Sequence, residues 1–127
     1  MDVKVECEGG RYTVICPAEM GWESRVDLVE ATQAAVAEGE DEPMASPFDG
    51  VIVDLGAVEH INSAGIGAIF TLRKFAVERG GTLAVWRPRA TVARVLNVVN
   101  LPALIPVVQD HDAACRALET TAALSGH

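Results

Sequence analysis

The chain has 127 residues, half of them apolar and 22% charged, with a formal net charge of −8. That length predicts one domain over 1–127, its core at about 3–118, large enough to bury its own interior. The acidic balance argues against nucleic acid, which needs a basic surface, and no apolar run reaches the roughly 18–20 residues that insert across a membrane.

Val3, Val5 and Cys7 alternate with Lys4, Glu6 and Glu8, the pattern of a half-buried strand. Gly9-Gly10 turns the chain into a second arm, Tyr12 to Cys16, which Pro17 ends for want of an N–H. A helix is predicted from Trp22 to Glu38, with Val26, Leu28, Val29, Val36 and either Gln33 or Ala34 inward, Glu23 near its positive end and Gly39 as its stop. The stretch 39–50 is acidic, contains Pro43 and Pro47 and lacks periodicity, so a long, mobile loop is expected there.

Gly50 to Leu55 is apolar on both faces with Asp54 near its end, as in a central strand covered from each side. The next helix, Ser63 to Arg79, carries Ile66, Ile69, Phe70, Leu72, Ala76 and Val77 on one arc, and Gly80-Gly81 closes it. Thr82 to Trp86 is another apolar strand. Pro88 opens a further helix with Val92, Val95, Leu96 and Val99 inward, and Asn100 is its left-handed stop. Pro102 and Pro106 confine any strand in Leu101–Val108 to its end, and a last helix starts at Asp110 or Asp112 with Ala113, Ala114 and Leu118 inward. This alternation predicts an α/β fold: a mixed, mostly parallel sheet of four to five strands, an N-terminal β-hairpin and about four helices.

Cys7, Cys16 and Cys115 are odd in number and form no C-x-x-C pair, which fits reduced thiols in a cytoplasmic protein. The start, Met1 to Glu6, alternates in charge and does not read as a signal peptide. His60, His111 and His127 stand singly, without metal-site spacing, so neither a metal nor a cofactor is expected.

The junction Asn62-Ser63-Ala64-Gly65 carries the most information. It leaves an apolar strand and opens an apolar helix, so the Ser63 hydroxyl sits at the positive end of the helix dipole, beside unpaired N–H groups where a phosphate is well placed. A plain structural role competes with this, since Asn62 or Ser63 as an N-cap contributes about 1 kcal/mol. Ala64, Gly65, Gly67 and Ala68 are all small. Two glycines so early in a helix cost about 1 kcal/mol each relative to alanine. Close approach of another surface explains that cost, and so does tight packing on the chain's own sheet.

Enzymatic readings lack company. Ile61-x-Ser63-x-Gly65 is a nucleophile elbow without its first glycine, and His111 with Asp110 or Asp112 is the only downstream base and acid. Gly65-x-Gly67 lacks the third glycine of a dinucleotide fingerprint, and no phosphate-binding loop occurs. Asp54 has no acidic pair ahead of it to make it a phosphoacceptor aspartate.

Val51-Ile52-Val53-Asp54-Leu55, the Val58-x-x-Ile61 step into Asn62-Ser63-Ala64-Gly65-Ile66-Gly67, Arg79-Gly80-Gly81 before Thr82, the helix Ala90 to Leu101 and the closing Asp112 to Leu118 together resemble the STAS domain, and within it the bacterial anti-sigma factor antagonists. The resemblance implies a STAS-like fold, no catalysis, and a partner switch. In that family the unphosphorylated antagonist sequesters an anti-sigma factor that is also a serine kinase. Phosphorylation of a serine at the position of Ser63 dissolves the complex, and a phosphatase resets it. Asn62, Ser63, Ala64, Gly65, Gly67 and Ala68 then become the expected partner-binding residues. Asn62 stands where the family usually has aspartate, and Pro17 to Glu23 replaces its usual entry to the first helix. An alternative within the family is a STAS subunit of a lipid-transport or other ATP-driven complex, never phosphorylated.

Overall fold

A computed structural model describes residues 3–42, 44 and 46–125; Pro43 and Ala45 of the expected loop, and His127, lie outside them. Strands β1 (Lys4–Glu8) and β2 (Arg11–Ile15) form the expected antiparallel hairpin. Gly9 and Gly10 turn it at φ +59° and +86°, where side chains rarely go. There follow β3 (Glu19–Met20), α1 (Trp22–Glu40), β4 (Gly50–Asp54), β5 (His60–Ile61), α2 (Ser63–Glu78), β6 (Thr82–Trp86), α3 (Ala90–Val98), a 3-10 turn at Leu101–Ala103, β7 (Val107–Val108) and α4 (His111–Ser125).

The main sheet has five strands in the order β1-β2-β4-β6-β7, and only β1–β2 is antiparallel. Because side chains alternate across a strand, Val51, Val53, Leu83 and Val85 point to one face and Ile52 and Ala84 to the other. The first set packs under α1, α2 and α3 through Leu28, Ile69, Leu72, Val92 and Leu96, and the second meets Ala114 and Leu118 of α4. The apolar run of β4 therefore reflects burial on both faces.

Helix faces differ in detail from the expected ones. The buried row of α1 is Ser24, Leu28, Thr32 and Val36, and Val26 is 57% exposed. Two residues turn a helix by about 200°, which puts Val26 opposite Leu28. Thr32 enters the core because its hydroxyl donates to the Leu28 carbonyl at 2.8 Å. Val77 and Val99 are exposed as well. Gly39 does not stop α1. It lies against the Tyr12 hydroxyl, where a Cβ would collide, and the helix runs on to Glu40. Helix α3 starts at Ala90, past Pro88, because Arg87 takes φ +47° and Arg89 is extended. Asn100 has the expected left-handed φ of +60°.

Candidate partner-binding site

Two short segments decide where Ser63 sits. Glu19 and Met20 pair in parallel with His60 and Ile61, forming a separate two-stranded ribbon. The Asn62 N–H extends it by donating to the Met20 carbonyl at 3.1 Å. One residue further, Gly21 is in such close contact with Asn62 that an added Cβ would come within 2.9 Å of its Nδ2. Both long helices begin on the next residue, Trp22 for α1 and Ser63 for α2. The ribbon thus sets two helix N-termini side by side. A two-residue strand has no readable period, which is why periodicity does not reveal it.

The loop from β4 to β5 is held from beneath. Asp54, buried at the end of β4, accepts hydrogen bonds from the Gly56 N–H at 2.9 Å and from Arg87 Nε and Nη2 at 2.8 and 2.9 Å. Hydrogen bonding to Asp54 raises the guanidinium pKa further, against a smaller opposing effect of burial. Arg89 Nε donates to the Gly56 carbonyl at 3.0 Å. Asp54 is therefore a structural anchor of the loop that delivers Ser63.

Asn62 is the N-cap of α2. Its Oδ1 accepts from the Ala64 N–H at 2.9 Å and the Gly65 N–H at 3.2 Å. This corrects the expectation of unpaired donors beside the serine, because the cap already occupies two of them. Ser63 itself is exposed, and among the described residues its hydroxyl makes no hydrogen bond. His60, also exposed, directs Nδ1 to Glu19 Oε1 at 3.0 Å, whereas His111 lies edge-on to Trp86 and 3.8 Å from the Cys115 sulfur. Neither is bonded to Ser63 as the base of a hydrolase would be.

The small residues divide. Ala64 and Gly67 are half-buried and accessible beside the serine. Gly65 and Ala68 are buried in the chain's own structure. A Cβ on Gly65 would strike the Met20 carbonyl and approach Ile61 Cγ1 to 2.9 Å. Its smallness lets α2 start directly against the ribbon. Above Gly67 lies Arg25, whose Cζ would be 3.7 Å from an added Cβ. Trp22, at the first position of α1 and without a signal in the sequence pattern, is exposed on the same side, its ring 5.8 Å from the Arg25 guanidinium.

The sequence profile of the STAS domain matches residues 12–114. The chain belongs to the STAS domain family. A candidate anti-sigma factor antagonist from Thermotoga neapolitana, a homolog of TM1081, is 30% identical over 79 residues, covering 62% of this STAS domain and 67% of that protein. The crystal structure of an anti-sigma factor antagonist from Mycobacterium paratuberculosis superposes with a TM-score of 0.73 at 21% identity, covering 92% of each chain. SpoIIAA, a Bacillus cell fate determinant, superposes in its phosphorylated form with a TM-score of 0.63 at 14% identity, covering 90% of this chain and 97% of that one. Its unphosphorylated form gives 0.70 at 13%, covering 90% and 94%. Among the described residues no helix is long and apolar enough to cross a membrane, and no group of His, Cys, Asp and Glu is arranged to hold a metal.

Proposed function

We propose that this STAS domain is a cytoplasmic anti-sigma factor antagonist. It binds an anti-sigma factor that is also a serine kinase through the surface around Ser63, is released when Ser63 is phosphorylated, and is reset by a phosphatase. The observation that carries this reading is the exposed, unbonded Ser63 at the first position of α2. That a relative of the same fold exists in phosphorylated and unphosphorylated forms supports it.

The physics of release is local. A phosphate adds about −1.5 to −2 charges at pH 7. In the free domain the positive end of α2 and surrounding water accommodate it. In a complex that covers Ser63, Ala64 and Gly67, the same dianion must be desolvated where Asn62 already holds the Ala64 and Gly65 N–H groups. An unpaired buried charge is costly enough to dissociate the complex without refolding either partner.

Incubation with the kinase and ATP, followed by intact mass and peptide mapping, tests the reading. One phosphate on Ser63 with loss of binding is expected, together with constitutive binding by Ser63→Ala and weak binding by Ser63→Asp. If both variants bind like wild type, the switch is refuted. Absence of any phosphate points instead to the unphosphorylated STAS subunit of a transport or other ATP-driven complex.

A further inference from the structure

We infer that Trp22 and Val26 form an apolar anchor continuous with Ser63, which seats in a pocket of the same partner protein rimmed by lysine or arginine. This rests on the binding role proposed above for the Ser63 surface. Trp22 is 73% and Val26 57% exposed, and their spacing places them on one face of α1. The monomer gains nothing by holding an indole and an isopropyl group side by side in water. Arg25 lies near the indole ring and over Gly67 of α2, so it connects the two helices on this face. Tryptophan is enriched among residues that dominate interface energies.

Continuity with Ser63 follows from the ribbon. Trp22 directly follows Gly21, which packs on Asn62, and Arg25 links the indole to Gly67, one helical turn beyond Ser63. Charge indicates the occupant. On one side of Trp22 a cleft of about 490 Å³ is lined by Glu19, Glu23 and Asp27. On the other side of Val26 a groove of about 350 Å³ carries Glu30 beside Arg25. Three carboxylates on one flank and one on the other, against a single arginine, favour a basic rim on the partner. A second copy of this chain would bring the same acidic rim and a net charge of −8, so self-association through this face is opposed.

The test uses the full chain and the purified anti-sigma factor kinase encoded by the same genome, with binding kinetics followed at several salt concentrations. Trp22→Ala is expected to weaken binding at least about ten-fold, mainly through faster dissociation. The double variant Glu23→Lys/Asp27→Lys is expected to slow association and flatten its salt dependence. Val98→Ser, at another exposed apolar site on α3, should bind as wild type. Wild-type affinity in Trp22→Ala alongside lost binding in Ser63→Asp overturns the anchor and leaves the switch standing. Lost binding in Trp22→Ala alongside wild-type binding in Ser63→Asp does the reverse. Equal weakening by Val98→Ser also overturns the anchor, and no binding by the wild-type chain overturns both.

Discussion

Arg87 grips Asp54 with two parallel hydrogen bonds of 2.8 and 2.9 Å, joining the ends of neighbouring strands β4 and β6. The pair is asymmetric: the Asp54 side chain is 4% exposed and that of Arg87 51%. Removing either partner therefore has different consequences. Arg87→Ala strands a buried carboxylate with only the Gly56 N–H, and a loss of about 2 kcal/mol in urea unfolding is expected. Asp54→Asn leaves a guanidinium that water can solvate, so its cost should be smaller. Arg87→Lys should fail to restore stability, since an ammonium cannot form the parallel pair.

Gly65 and Gly67 should respond oppositely to alanine. At Gly65 a methyl group collides with the Met20 carbonyl and crowds Ile61, neither of which can yield without parting α2 from the ribbon. Gly65→Ala is expected to destabilise by about 1–3 kcal/mol, the usual range for overpacking. At Gly67 the methyl would meet only Arg25 at 3.7 Å, an ordinary contact. Gly67→Ala is expected to stabilise by up to about 1 kcal/mol, the helix-propensity difference. Thermal unfolding of both variants checks the contrast, and equal shifts would contradict it.

Asn62 supplies the α2 cap without a charge. Asn62→Ala should lose about 1 kcal/mol of stability with its two hydrogen bonds. Asn62→Asp should keep the cap and gain a few tenths of a kcal/mol from the helix dipole. In the phosphorylated domain the same substitution sets a carboxylate next to the phosphate, so the melting temperature of phosphorylated Asn62→Asp should fall relative to its unphosphorylated form by more than in wild type.

Tyr12, the single tyrosine, has its pKa pushed up to about 12, first by burial, then by hydrogen bonding to and the charge of Cys7 and by the charge of Glu40. Burial also raises the Cys16 thiol, with Asp54 adding to it. A folded-state pKa above the unfolded value of 10.0 means the native chain holds its proton more tightly. The stability this contributes is complete below about pH 10 and is lost as pH rises toward 12. Tyrosinate absorbance should therefore titrate near 12 or appear with unfolding, and Tyr12→Phe should weaken the alkaline loss. A midpoint near 10 with intact circular dichroism would contradict the burial argument.

Much of the fold is written in local pattern. The hairpin glycines, the doubly apolar β4 and the small-residue start of α2 each state their role through alternation, turn chemistry or composition, and the last two lie within the stretch that matches the STAS profile. Ser63 could be singled out because a strand-to-helix junction is visible as a change of period. The α1 face turns away from Val26 because buried Ser24 donates to the Glu19 and Gly21 carbonyls ahead of the helix and Thr32 to the Leu28 carbonyl, so polarity does not mark exposure.

Sequence alone determined the order of the main strands and the four helices, the acidic balance and the residue that opens α2, because these depend on composition and on neighbours along the chain. Only the tertiary structure decided which small residues are buried in the free domain, that Asn62 already holds the Ala64 and Gly65 N–H groups, and that the starts of α1 and α2 lie side by side. Those facts arise where Glu19–Met20 meets His60–Ile61 across a long sequence separation, in a pairing too short to leave a periodic trace.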